Sequence, residues 1–226
     1  MPAPVVVHHL EHSRSQRVLW LLEELNLPYE IKLYTRDPKT LRAPVALTEV
    51  HPLGKSPVVS DAGQVIAESG AIIEYLIERY AGGRLIPPLG TPARQRYTYF
   101  LHYAEGSLMP VLLLALVFVR IPKGKLPFFA RPIAKAIAQK GFETVVRPQL
   151  ELHLNFLEAE LAKSEWLAGD ELSGADIQMS YPLEAAAGRA GLDASRPNLW
   201  RYLERIRARP AYQRALQRGG AVSIPR

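Results

Sequence analysis

Every strand-forming pattern in this chain falls before residue 68, and everything after residue 91 reads as helix. Val5-Val6-Val7 reads as a buried strand and Tyr29 to Tyr34 as an alternating one. Val58-Val59 and Val65-Ile66 flank the turn Asp61-Ala62-Gly63 as a hairpin. Between the first two strands lies Val18-Leu19-Trp20-Leu21-Leu22-Glu23-Glu24-Leu25, a helical pattern with Ser13 and Ser15 competing as its cap and Asn26 as its stop. A helix crossing between two strands lets them pair in parallel, so the order is βαβ, an irregular stretch over 38–50, then ββα. The last helix of that unit carries Ile72, Ile73, Leu76 and Ile77 on one face and ends before Gly82-Gly83. The Pro- and Gly-rich segment 84–91 follows it. The pattern predicts an α/β domain over 1–83 and an all-α domain over 92–226.

Composition narrows the chemistry. The chain has no cysteine, which excludes disulfides, thiolate metal sites and a cysteine nucleophile. Its net charge of +6 is concentrated late, at Arg196, Arg201, Arg205, Arg207, Arg209, Arg214 and Arg218. These alternate with Leu199, Tyr202, Leu203 and Ile206, as on the solvated face of a packed helix, and no RNA-binding motif or zinc spacing accompanies them. No nucleic-acid partner is therefore expected. The N-terminus lacks the basic and apolar regions of a signal peptide. The apolar run Leu108 to Val119 contains Pro110, is bounded by Glu105 and Arg120, and reads as too short to span a bilayer. A cytoplasmic chain without stable membrane insertion is the expectation.

Four motifs carry or frame chemistry. Ser56-Pro57 opens a strand at a sheet edge, because Pro cannot donate to a ladder; with a cis bond, the main chain of Ser56 faces outward, where an extended ligand can pair with it. Glu68-Ser69 precedes the Ile72 helix, where a hydroxyl and free N–H groups can hold a carboxylate while Glu68 receives an ammonium. Ser13-Arg14-Ser15-Gln16-Arg17 puts two hydroxyls at a helix start, where one can donate to a thiolate. His8 and His9, adjacent on a strand, point to opposite faces, so no metal set is expected from them with His12. Ser173-Gly174-Ala175-Asp176 is a capping-box variant and is structural.

Taken in order, Gly54-Lys55-Ser56-Pro57, Glu68-Ser69-Gly70-Ala71-Ile72 and the Ser173–Asp176 box resemble the glutathione S-transferase family over nearly the whole chain. Trp20 to Leu25, His51 to Pro57 and Ala104 to Pro110 are similar to its serine-type fungal and bacterial branch. The resemblance implies a thioredoxin-like N-terminal domain joined to the all-α C-terminal one, with glutathione as co-substrate and no metal. It implies that Ser13, with Ser15 as runner-up, stabilises the thiolate. Lys55 would hold the glycine carboxylate, Ser56 ahead of a cis Pro57 the cysteinyl unit, and Glu68 with Ser69 the γ-glutamyl end. The family often has an apolar residue before this Pro; here it is Ser56. The resemblance further implies conjugation to a small, mostly apolar electrophile, with peroxide reduction alongside, in a detoxifying homodimer. A non-catalytic glutathione- or hydrophobic-ligand-binding protein is the alternative. The acceptor pocket would lie between the domains. Tyr99, His102, Tyr103 and Met109 in the first C-terminal helix, and Phe128 after it, read mainly as core, with Tyr103 the candidate contact.

Overall fold

The computed structural model describes residues 4–124 and 127–220; Met1, Pro2, Ala3, Lys125, Leu126 and 221–226 lie outside it, along with the expectations that touch them. The N-terminal unit runs β1 (Val5–Leu10), α1 (Gln16–Leu25), β2 (Tyr29–Tyr34), β3 (Val58–Asp61), β4 (Gln64–Ala67) and α2 (Ser69–Tyr80). Its sheet has the order β2-β1-β3-β4. β1 and β2 are parallel from Val5↔Tyr29 to Leu10↔Tyr34, as a helical crossover requires. β3 is antiparallel to both β1 and β4. Ala62 and Gly63, with φ of 47° and 77°, make the tight turn of the β3–β4 hairpin in the left-handed pair that matches strand twist. Asn26, also left-handed at φ 54°, ends α1 as expected.

The helical unit comprises α3 (Pro92–Tyr103), α4 (Met109–Arg120), α5 (Arg131–Gly141), α6 (Arg147–Leu161), α7 (Gly174–Arg189), α8 (Pro197–Ala208) and α9 (Pro210–Gly219). α7 is its axis, packed against α1, α2, α3, α4 and α8. The expected box starts it: the Asp176 carboxylate accepts from the Ser173 N–H and hydroxyl, and also from the Leu167 N–H and the Tyr202 hydroxyl. Burial nonetheless raises the Asp176 pKa above the usual carboxylate range.

Two sequence expectations need correction. The run Leu108 to Val119 is no isolated short segment. A π-helical turn over Ala104–Leu108 carries α3 into α4, and Pro92–Lys123 forms one 32-residue helix, long and apolar enough to cross a membrane by length and composition. The extra residue of the π turn lies just ahead of Pro110, where a regular helix would lose a hydrogen bond and clash with the Pro ring. A second π turn, Phe142–Val146, sits in the same relation to Pro148.

The late arginines, in turn, are not merely a solvated face. Arg209 pairs with Glu24, and both Arg214 and Arg218 pair with Glu23, so they fasten α9 onto α1. Arg218 also lies over the Tyr29 ring, 3.7 Å from its centroid. Their partners lie about 190 residues upstream by the separations of these bonds.

Candidate functional site

Sheet register collects the site. His8 lies opposite Val58, and Val58 opposite Ala67, so one end of the sheet releases three segments side by side. These are the loop after Leu10, the approach to Val58 through Ser56-Pro57, and the Glu68-Ser69 step into α2.

The Ser56-Pro57 bond is cis. Pro57 has no N–H for β1, and the Ser56 hydroxyl takes over that ladder: it donates to the His8 carbonyl at 2.9 Å and accepts from the Leu10 N–H at 3.2 Å. This explains a serine where the family often has an apolar residue. Among the described residues, the main-chain N–H and C=O of Ser56 have no hydrogen-bond partner, and Lys55 beside it is exposed and unpaired.

Glu68 is exposed and takes the left-handed φ of 72° at the start of α2. The N–H groups of Ser69 and Gly70 head the helix without intrahelical acceptors. Ser69 is buried, and its Oγ accepts from Gln178 Nε2 of α7 at 3.1 Å, which leaves the serine proton free to donate. The Gln178 Oε1 is buried without a partner. Sequence reading missed Gln178, which looks like an ordinary polar residue inside a helix.

His12, with φ of 52°, turns the chain from β1 toward α1 and delivers both serines. Ser13 is 7% exposed and Ser15 is 0% exposed. Their hydroxyls are 2.7 Å apart, and Ser13 Oγ also accepts the Ser15 N–H at 3.3 Å. Ser15 Oγ lies 2.7 Å from His9 Nδ1, and His9 Nε2 lies 2.8 Å from the Gly219 carbonyl at the end of α9. A carbonyl can only accept, so Nε2 carries the ring proton. Nδ1 then accepts from Ser15, and Ser15 Oγ accepts from Ser13. Burial, its largest influence, holds the His9 pKa below the ordinary 6.5 and keeps the ring neutral. His8, on the opposite face as expected, bonds Tyr34 and Ser60 instead.

The next turn of α1 joins the domains. Arg17, fully buried, donates to Glu105 at 2.5 Å and to the Gln178 carbonyl at 2.7 Å, and Arg14 donates to both Glu105 oxygens. Both guanidinium groups lie near the Tyr181 ring, with Cζ 5.7 Å and 5.4 Å from its centroid. Burial pushes the Glu105 carboxyl up, but the two arginines outweigh it and hold it below its usual value. Glu105 lies on the π turn before α4, a feature its sequence neighbours do not announce. Ser69, Gln178, Arg17, Glu105 and Arg14 thus form a continuous run of contacts ending next to Ser13.

Tyr103 is not in this run. It is buried, bonds His153 Nδ1 at 2.5 Å, and packs among Tyr99, Phe100 and Phe156 between α3 and α6. These contacts agree with the core reading that its helical spacing gave. Phe128 lies on the exterior rather than in core or pocket.

Family models for the N-terminal and C-terminal domains of glutathione S-transferase match residues 13–79 and 119–210. Glutathione S-transferase 1 of Saccharomyces cerevisiae is 32% identical, with 98% of each chain covered. Glutathione S-transferase 3 of Schizosaccharomyces pombe is 34% identical over 95% of this chain and 87% of its own. A glutathione S-transferase structure from Actinobacillus pleuropneumoniae superimposes with a TM-score of 0.81 at 37% identity, covering 97% of this chain and 95% of that one. With its sheet order, cis Ser56-Pro57 bond and Asp176 box set beside those matches, the chain belongs to the glutathione S-transferase family.

Proposed function

We propose that this chain is a glutathione transferase that directs the thiolate of glutathione onto small, mostly apolar electrophiles. The observation that carries the reading is the strand register, which releases side by side the segments bearing the free Ser56 main chain, the Ser69 hydroxyl and the Ser13 hydroxyl. The cysteinyl unit of glutathione pairs with Ser56 as an added strand would. The γ-glutamyl carboxylate takes the Ser69 proton and the helix-start N–H groups, with Glu68 on the ammonium. Lys55 serves the glycine carboxylate. The domains act as 1–83 for glutathione and 92–226 for the acceptor side, in a homodimer of a soluble, cytoplasmic protein; the reading gives no role to a metal.

Ser13 donates to the sulfur. Before glutathione arrives its proton is directed at Ser15, whose own proton is committed to His9. A thiolate is the stronger acceptor and draws the Ser13 proton to itself, aided by the positive end of α1. Holding the sulfur ionised lets it attack carbon: the C–S bond forms and the leaving group departs with its electron pair, or a π bond takes up a proton at its far carbon. Ser15, fully buried, acts by positioning Ser13.

Glutathione-dependent turnover of a halonitrobenzene and of a hydroperoxide tests this. Ser13→Ala should lose about 10- to 100-fold in kcat/KM, the worth of one hydrogen bond to a charged group, with a raised thiol pKa in the rate profile. Ser15→Ala should lose less. Unchanged rates in both variants would overturn the assignment.

A further inference from the structure

Between Glu105 and Glu143 the sequence holds no acidic residue and six Lys or Arg. In the fold this stretch is α4, α5 and their connection. Phe128 and Phe129 are 83% and 67% exposed, and Ile133 and Ile137 are 62% and 64% exposed. Phe129, Ile133 and Ile137 recur every fourth residue and form one stripe. α5 buries only Ala138 and packs mainly on the end of α4 and on the turns that flank it. α4 adds exposed Leu113 and Val117, and only 28% of the most apolar window of the Pro92–Lys123 helix is buried. Single exposed apolar residues are ordinary, but an exposed apolar stripe along a helix marks a docking surface.

Charge and shape select the occupant. Lys140 continues the apolar stripe, Lys135 flanks it, and Lys123 lies at the far side of the connection. A two-fold contact centred on this face would set its acid-free cationic surface against itself. The stripe lies on the outer side of one helix, a shape that beds into a yielding headgroup layer. An anionic lipid surface accepts both halves of the pattern.

We propose that the α4–α5 hairpin docks peripherally on anionic membranes. Phe128, Phe129, Ile133 and Ile137 enter the headgroup boundary, and Lys123, Lys135 and Lys140 meet the lipid phosphates and carboxylates. The proposal is independent of the transferase reading, since none of these residues belongs to the glutathione site.

Flotation of the full-length protein with vesicles of phosphatidylcholine, alone or mixed with phosphatidylserine, tests it. Binding to the mixed vesicles should exceed binding to neutral ones and should fall at high salt. Lys135→Glu/Lys140→Glu should lower the partition coefficient more than about 20-fold, since each lysine near such a surface contributes roughly fivefold. Phe129→Ser/Ile133→Ser/Ile137→Ser should abolish binding, and both variants should keep wild-type glutathione turnover and circular dichroism as proof of folding. Wild type that fails to float with anionic vesicles, or variants that float equally well, would overturn the proposal. So would variants that change the mass measured by light scattering while flotation stays the same, because the face would then be a contact between copies.

Discussion

At the seam between the domains, Arg17 is wholly buried with its charge on Glu105, and buried Gln178 holds the Ser69 hydroxyl. On the α4–α5 hairpin, Phe129, Ile133 and Ile137 face solvent beside unopposed lysines. Charge lies inside at one place and hydrocarbon outside at the other. Both are costly departures from the usual arrangement of charge outside and hydrocarbon inside. At the seam Arg17 and the Ser69 hydroxyl are held by partners from the helical unit. On the hairpin no partner is supplied by the described chain, so its substitutions should leave folding almost untouched.

That contrast sets the order of expected effects. Arg17→Leu should cost about 3 kcal/mol, because removing one partner of a buried pair strands the other, softened here by Arg14 remaining on Glu105. Urea unfolding measures it, and a cost under about 1 kcal/mol would mean that the seam is not held by charge. Gly219→Ala comes next. A Cβ there would lie 2.3 Å from Leu19 Cδ1 and 2.7 Å from Gln16 Oε1, so those buried side-chain ends or the end of α9 must shift, at about 1–3 kcal/mol. A shift of α9 would move the carbonyl that sets the His9 tautomer, so a fall in turnover together with stability would show that the helix end moved rather than the side chains.

The pH dependence sharpens the seam further. His9 has a folded pKa below its unfolded value near 6.5, so below that pH the unfolded chain takes up a proton that the native state refuses. Stability should therefore decline as pH falls from about 6.5, His9 contributing up to about 1.4 kcal/mol per unit, and His9→Gln should lessen the slope while His8 and His153, also lowered by burial, keep the rest. Glu105 acts in a lower window. Its folded pKa is depressed below 4.5, so its contribution is present above that value and is lost as pH falls through the folded one. An unaltered slope near pH 6 in His9→Gln would remove His9 from the account. The smallest effect belongs to the hairpin: Ile133→Ser should change unfolding free energy by no more than about 0.5 kcal/mol, as exposed positions do. A larger loss would show that the strip is covered within the folded protein.

Local rules made much of the frame legible. Val5 to Val7, Tyr29 to Tyr34 and the Ala62-Gly63 turn declared the sheet, because alternation and turn chemistry act over a few residues. The Ser173–Asp176 box was equally local. The π turns were not, because Pro110 and Pro148 suggest breaks where the helices continue through an added residue. Arg209, Arg214 and Arg218 misled for another reason: charge at helical spacing looks the same whether water or Glu23 and Glu24 receives it.

The sequence by itself determined the two-part fold, the family, and the segments from which a glutathione site is made. Tertiary structure decided how those segments work together. It put Ser15 between Ser13 and His9, gave His9 its acceptor in Gly219, and brought Gln178 onto Ser69, across separations of 210 residues for the His9–Gly219 bond and 109 for the Gln178–Ser69 bond. It also left Phe129, Ile133 and Ile137 bare, although their four-residue spacing reads as a core face. Periodicity says which residues share a side of a helix; only the packing of distant elements says whether that side meets protein or solvent.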